Sequence, residues 1–188
     1  MKISAIITDF DGTLVDTFEA NYRAYDLVFK HHGLSLSREQ YIDSFGLRFD
    51  AFMRKMGICD DDIRASIKKD KAHVYPRCFD SLVPNTTLIE FIRKMKQSGV
   101  KTAIASTAQK ENLMNVLNHL NLTDLFDEII AGTGVKNGKP NPEIYLKAME
   151  VLGVSPAETL IFEDTEVGFQ AAEASGANYM RITHKFFE

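Results

Sequence analysis

The sequence predicts an α/β fold in which a parallel sheet of five short strands carries a separate helical block after its first strand. Three observations carry this. Five short apolar runs lack the alternation of a half-exposed sheet, as strands covered on both faces do. Helical patterns with readable ends separate these runs from residue 84 onward. Residues 16–83 show helical spacing and no strand pattern.

The first strand is "KISAII" (2–7), whose apolar run is interrupted by Asp9. In the block that follows, Phe18, Tyr22, Tyr25 and Phe29 recur at helical spacing up to Gly33 and read as the core of that block. Asp16 is expected to cap this helix. "SREQ" (37–40) has capping-box spacing, and further helical stretches fall around 49–56 and 60–75. A helix over 84–98 places Leu88, Phe91, Ile92 and Met95 on one face, with Pro84 near its start and Gly99 past its end. The second strand is "VKTAIA" (100–105), with a helix N-terminus near 109–112 after it, and the third is "DEIIA" (127–131). Asn141 then serves as N-cap of a helix over 141–152, with Pro142 in its first turn and Gly153 ending it. "SPAE" (155–158) reads as a short helix with capping-box spacing from Ser155 to Glu158. The fourth strand "TLIF" (159–162), a helix over 166–175 stopping at Gly176, and the fifth strand "NYMRI" (178–182) complete the pattern. The tail "THKFFE" offers Phe186 and Phe187 for packing onto the core.

Composition narrows the function. The chain has 188 residues, 45% hydrophobic and 26% charged, which supplies a full core. A net charge of -4 argues against nucleic acid as the partner, since phosphate-backbone binding shows as basic excess. The apolar run before Asp9 is too short for a signal segment or a membrane span, so a cytoplasmic protein with no membrane partner is expected. Cys59 and Cys78 form no C-x-x-C pair and read as reduced packing residues. The five histidines (31, 32, 73, 119 and 184) have no ligand spacing.

In parallel sheets ligands bind beyond the carboxyl ends of the strands, and four of the five predicted strands place polar groups there. Strand one delivers Asp9, Asp11, Gly12 and Thr13, and strand two delivers Ser106 and Thr107. A loop after strand three carries Lys139, and strand four delivers Glu163, Asp164 and Thr165. Asp9 and Asp11, two apart on extended chain, point to the same side. Such a pair can hold a metal, attack a substrate or cap a turn. With Asp164 it offers oxygen ligands to a hard cation such as Mg²⁺. A carboxylate can attack phosphorus, and a second one can move the proton. Lys139 can neutralise charge on a transferring group, and Ser106, the Thr107 backbone and the next helix N-terminus offer donors to an anion.

Four stretches in order resemble the haloacid dehalogenase-like superfamily of phosphotransferases across nearly the whole chain. "DFDGTLVDT" matches D-x-D-G-T-[LV], and "AIAST" fits an apolar strand ending in Ser or Thr. "KNGKPNPEIY" resembles K-P-x-P-[DE]-x-[FY], and "LIFEDTEVGFQAAEASG" resembles [FL]-E-D-[ST]-x-x-G-x-x-A-A-x-A-A-G. The resemblance implies a Rossmann-like core with helices on both faces, formed by 1–15 and 84–188, and a helical cap formed by 16–83. It implies Asp9 as nucleophile, Asp11 as general acid and base, and Ser106 and Lys139 holding the phosphoryl group. Mg²⁺ would sit on Asp9, the Asp11 carbonyl and Asp164, with Glu163 acting directly or through water.

The resemblance is to the phosphoglycolate phosphatase and β-phosphoglucomutase group. It implies a phosphatase for a small organic phosphate ester, forming an aspartyl phosphate, as a monomer or homodimer. Mutase-like members carry D-T-x-x-x-H and then Gly-x-Ser-Arg in the cap; this chain has Asn21 at the histidine and "GLRF" (46–49) at the second site. Arg48 in that loop is a candidate contact for an anionic or polar leaving group. A mutase is the first alternative, and a non-catalytic phosphate-binding module the second.

Overall fold

A computed structural model describes residues 2–183 and 187. Two compact units result, Met1–Asp16 with Val83–Glu188, and Thr17–Leu82.

The first unit is built on β1 (Ala5–Thr8), β4 (Lys101–Ser106), β5 (Glu128–Ala131), β6 (Thr159–Glu163) and β7 (Asn178–Arg181). They form one parallel sheet in the order β5-β4-β1-β6-β7, so the first strand is central. The helices α5 (Thr86–Gln97), α6 (Lys110–His119), α7 (Glu143–Leu152) and α8 (Glu166–Ala174) connect the strands. Alternate residues of each strand face opposite ways. Ala5, Ile7, Ala103, Ala105 and Ile161 pack with Ile144, Tyr145, Ala148 and Met149 of α7 and Ala171 and Ala172 of α8. Phe162, the next residue of β6, turns to the other face and meets Phe91 of α5, ring centroids 5.8 Å apart. Burial on both faces explains the apolar runs of β1, β4 and β6. The edge strand β7 departs from that expectation, with Tyr179 and Met180 exposed because no strand lies beyond it among the described residues.

Several boundaries depart from the expectations. β1 starts at Ala5 and not at Lys2, because its neighbours begin opposite it at Lys101 and Thr159. A two-residue antiparallel pair, β2 (Val15–Asp16) with β3 (Val83–Pro84), closes the segment where no strand was expected. Asp16 therefore lies in a strand, and the N-cap position of α1 (Phe18–His31) falls to Thr17. α7 begins at Glu143 with Pro142, not Asn141, at its N-cap; Asn141 Oδ1 accepts the Glu143 N–H at 3.0 Å from one residue further out. "SPAE" forms a 3-10 turn over Pro156–Glu158 with no capping box, since β6 starts immediately after it. Glu158 there accepts from the Ser155 and Ser4 hydroxyls at 2.6 and 3.2 Å. Of the tail, His184, Lys185, Phe186 and Glu188 lie outside the described residues, with the packing expected of Phe186.

The second unit contains α1, α2 (Arg38–Ile42), α3 (Phe49–Lys55), α4 (Asp61–Val74) and a 3-10 segment (Tyr75–Ser81). The capping box expected at "SREQ" is present: Ser37 Oγ accepts from Gln40 N at 3.1 Å, and Gln40 Oε1 accepts from Ser37 N at 2.8 Å. The aromatic stripe of α1 packs as core, with Tyr25 and Phe29 against Phe52 at 5.0 and 5.9 Å between ring centroids. No described helix is long and apolar enough to cross a membrane.

Candidate active site

The register of the sheet sets the site. Thr8 ends β1 opposite Ile104 and Phe162, so Asp9 is the first residue past the central strand. The Asp9 N–H still donates to the Phe162 carbonyl at 2.9 Å, which fixes it beside the end of β6. Glu163 is the next residue of β6, and Ser106 ends β4 on the other side of β1. Neighbouring parallel strands thus deliver their polar ends to one edge.

Lys139 joins them from the loop before α7. Its Nζ donates to Asp9 Oδ1 at 2.6 Å and to Glu163 Oε1 at 2.5 Å, and the three side chains are at most 9% exposed. The loop is held by Glu143, whose carboxylate accepts the Lys136 N–H at 2.6 Å and the Asn137 N–H at 2.9 Å. The Tyr145 ring lies 4.9 Å from the Lys139 ammonium, and its hydroxyl donates to Glu163 Oε1 at 3.0 Å. Glu163 Oε2 accepts from the Asp164 N–H, the Thr165 N–H and the Thr165 hydroxyl at 2.9, 2.9 and 3.0 Å. Both oxygens of Glu163 are thus occupied by protein donors. Its visible work is to orient Lys139 and the turn that carries Asp164.

Asp164 is placed differently. Its Oδ1 accepts from the Thr13 hydroxyl at 2.7 Å. Gly12 lies against it with φ +88°, and a Cβ on Gly12 would stand 2.3 Å from Asp164 Oδ2. A glycine is needed there for both backbone conformation and space.

The electrostatics follow from three acids facing one base. Burial pushes the Asp9 carboxyl up, Lys139 pulls it down, and the charges of Glu163 and Asp164 add to the rise, which wins. Burial alone would lower Lys139, but Asp9, the Tyr145 oxygen and Glu163 hold it well above the usual lysine value. Burial also raises Glu163, yet the Lys139 charge and hydrogen bonds bring it below its usual range. Asp164 is pushed up to about 6, by burial first and by Glu163, against the Thr13 hydrogen bond.

The donor set fits a divalent cation. One oxygen each from Asp9, Glu163 and Asp164 lie within 4.8 Å of one another. With all three ionised and one lysine charged, two negative charges are left uncompensated, which is what one Mg²⁺ balances. All three donors are hard carboxylate oxygens, the type that suits Mg²⁺, Ca²⁺ or Mn²⁺ over Zn²⁺ or copper.

The other candidates fall as follows. Asp11 is half-buried in the turn after β1 and forms a bridge with Val15. The turn is closed by Gly12 N–H to the Val15 carbonyl at 2.8 Å. Ser106 is buried, and its Oγ accepts the Ala108 N–H at 3.0 Å, which bends the chain toward α6. Thr107 follows it; a Cβ on Gly132 would stand 2.3 Å from the Thr107 carbonyl oxygen, so the two loops touch backbone to backbone. Arg48 lies in the helical unit, at the N-cap of α3. Sequence reasoning gave no role to Tyr145, and placed Thr13 and Thr165 at strand ends without naming their partners. All three stand inside the motif stretches, Tyr145 at the aromatic position that ends the third, so the signal for them was present.

The family model described as haloacid dehalogenase-like hydrolase matches residues 6–182. The chain is similar to the phosphorylated carbohydrates phosphatase of Thermotoga maritima, 29% identical over 180 residues, covering 93% of this chain and 82% of that protein. It is similar to fructose-1-phosphate phosphatase YqaB of Escherichia coli, 28% identical over 185 residues, covering 96% and 97%. The structure of CbbY from Rhodobacter sphaeroides in complex with phosphate superposes with a TM-score of 0.86 at 25% identity, covering 99% of this chain and 88% of that one. With its model matched over nearly the whole length, the chain belongs to the haloacid dehalogenase-like hydrolase family.

Proposed function

We propose that this hydrolase is a Mg²⁺-dependent phosphatase that cleaves a small organic phosphate monoester, of the sugar-phosphate or phosphoglycolate kind, through an aspartyl phosphate on Asp9. The observation that carries the reading is the buried ion pair of Asp9 with Lys139, beside the carboxylates of Asp164 and Glu163. Phosphatases of phosphorylated sugars among its relatives support the substrate class.

Burial and the neighbouring carboxylates raise Asp9, and Lys139 opposes them; a cation bound beside it would favour the ionised form further, and that form carries the nucleophilic oxygen. That oxygen forms a bond to phosphorus as the bond to the ester oxygen breaks, and Asp11 gives its proton to the departing alkoxide. Asp11, now a carboxylate, takes a proton from water; the water oxygen attacks phosphorus, the Asp9–phosphorus bond breaks, and inorganic phosphate leaves. Ser106, the Thr107 N–H and Lys139 donate to the phosphoryl oxygens. Asp9, the Asp11 carbonyl and Asp164 would hold Mg²⁺, which would supply positive charge to offset the phosphoryl oxygens. Glu163 holds Lys139 in place and takes part in the metal shell through its neighbours. In this reading 16–83 acts as a cap, with Arg48 contributing to recognition of the leaving group.

Hydrolysis of p-nitrophenyl phosphate tests it. Activity is expected with Mg²⁺, and loss of it in Asp9→Asn or in excess chelator. A fully active Asp9→Asn, or turnover untouched by chelator, would overturn the mechanism. The mutase alternative is disfavoured by Asn21, whose neutral amide accepts from Lys71 Nζ at 2.8 Å and has no proton to transfer near pH 7. Formation of glucose 6-phosphate from β-glucose 1-phosphate, without free phosphate, would reverse that ranking. Silence across a panel of phosphate esters would favour the binding module.

A further inference from the structure

The helical unit carries a groove of about 550 Å³ walled by α1, α4 and the 3-10 segment, a size that suits a small molecule. Its rim carries two arginines and two histidines against one lining carboxylate, although the whole chain has a net charge of -4. Arg23 and His31 reach it from α1, and His73 and Arg77 from the opposite wall. The side chains of His73 and Arg77 are exposed and make no hydrogen bond or ion pair among the described residues. Arg23 is braced, its Nη1 donating to the Asp80 carboxylate at 3.0 and 2.9 Å. The carboxylate on the rim, Asp70, accepts from His32 Nε2 at 2.8 Å, which reduces its repulsion of an anion. The floor is apolar, formed by buried Val28 and Cys78 with half-buried Val74.

We propose that this groove binds a small oxyanion carrying a short apolar body, of the phosphonate or phosphate-monoester type. Its head would lie against the Arg77 guanidinium and the His73 ring, with Arg23 at the far side, and its body over Val28, Val74 and Cys78. Guanidinium groups present paired donors that match such a head, and an imidazole adds a directed one. An uncharged ligand would leave the Arg77 guanidinium without a counterpart. A metal is a poorer occupant, because the carboxylate cluster of the other unit is the one place where three ligating groups converge among the described residues. The proposal is independent of the phosphatase reading, since it uses no residue of the carboxylate site.

NMR of the 188-residue chain without metal tests it, with butylphosphonate, inorganic phosphate and 1-butanol as separate probes. Saturable shifts are expected at His31, His73 and the Arg77 side chain with butylphosphonate. Inorganic phosphate should bind there about tenfold more weakly, for want of the alkyl contact, and butanol should produce no saturable shift. Arg77→Ser changes an exposed side chain and should weaken binding by about tenfold while the fold is kept. Phosphonate entering the carboxylate site is followed separately through the Ser106 amide, which should respond alike in both proteins. Absence of saturable shifts at the groove, equal affinity in Arg77→Ser, or equal affinity for inorganic phosphate would each overturn the proposal.

Discussion

Replacing Asp164 by Asn should stabilise the metal-free protein, although the residue belongs to the proposed machinery. The folded structure raises the Asp164 carboxyl from 3.8 to about 6, chiefly by burial. A carboxyl with a raised folded-state value holds its proton more tightly folded than unfolded. The metal-free wild type therefore loses stability as pH rises from about 4 to 6, and the loss is complete above 6. At ~1.4 kcal/mol for each tenfold change in proton affinity, the rise is equivalent to about 3 kcal/mol. Asparagine removes the charge and keeps an Oδ1 to accept from the Thr13 hydroxyl. Urea unfolding in chelator at pH 7.5 should show Asp164→Asn more stable by up to about 3 kcal/mol, falling to roughly half of that at pH 5. Mg²⁺ at about 100 times its Kd should return ~2.7 kcal/mol to the wild type and little to the variant, closing the gap. A variant less stable than wild type in chelator at pH 7.5, or a gap independent of pH, would refute the reasoning.

Gly12→Ala should lower Mg²⁺ affinity at least about tenfold and cost ~1–2 kcal/mol, because its Cβ would drive into Asp164 Oδ2 from a positive-φ position; an unchanged Mg²⁺ titration would contradict this. Tyr145→Phe should cost about 1–2 kcal/mol in chemical denaturation, since Glu163 Oε1 loses a buried donor and keeps Lys139. Asp127→Ala should cost about 1–3 kcal/mol, because the Asp127 carboxylate accepts the buried Thr102 N–H at 2.8 Å as well as Lys96 Nζ at 2.8 Å. Burial raises that carboxyl, but Lys96 and Thr102 outweigh it and hold it below its usual value. Its contribution is thus present above about pH 4 and lost as pH falls below that, so wild type and variant should converge in acid unfolding curves.

The central strands β1, β4 and β6 were legible because each is a local run of apolar residues buried on both sides, and Asp9, Ser106 and Glu163 because each follows or ends such a run. What escaped depends on partners distant in sequence. β2 and β3 have two residues each, and only their meeting across the helical block makes them strands. α7 was misplaced by one residue because Asn141 and Pro142 both suit a helix start, and the hold of Glu143 on the Lys136 and Asn137 N–H groups is a tertiary fact. The convergence of Lys139, Tyr145 and Thr165 on one glutamate likewise required the sheet to bring their loops together.

Glycines show how the sequence nevertheless records that convergence. Gly168 lies in the first turn of α8 with no positive φ, where alanine would be favoured by about 1 kcal/mol on helix propensity. A Cβ there would stand 1.9 Å from the Glu163 carboxyl carbon, so the space belongs to the glutamate. Gly12 makes the same allowance for Asp164, and Gly132 for the Thr107 carbonyl. The first two stand at motif positions and Gly132 outside them, yet all three are places where a side chain is omitted so that a site residue can approach. The carboxylates can then be held by short hydrogen bonds instead of by packing. Two of them thereby remain in place despite the repulsion that their excess charge creates, ready for a cation to relieve it.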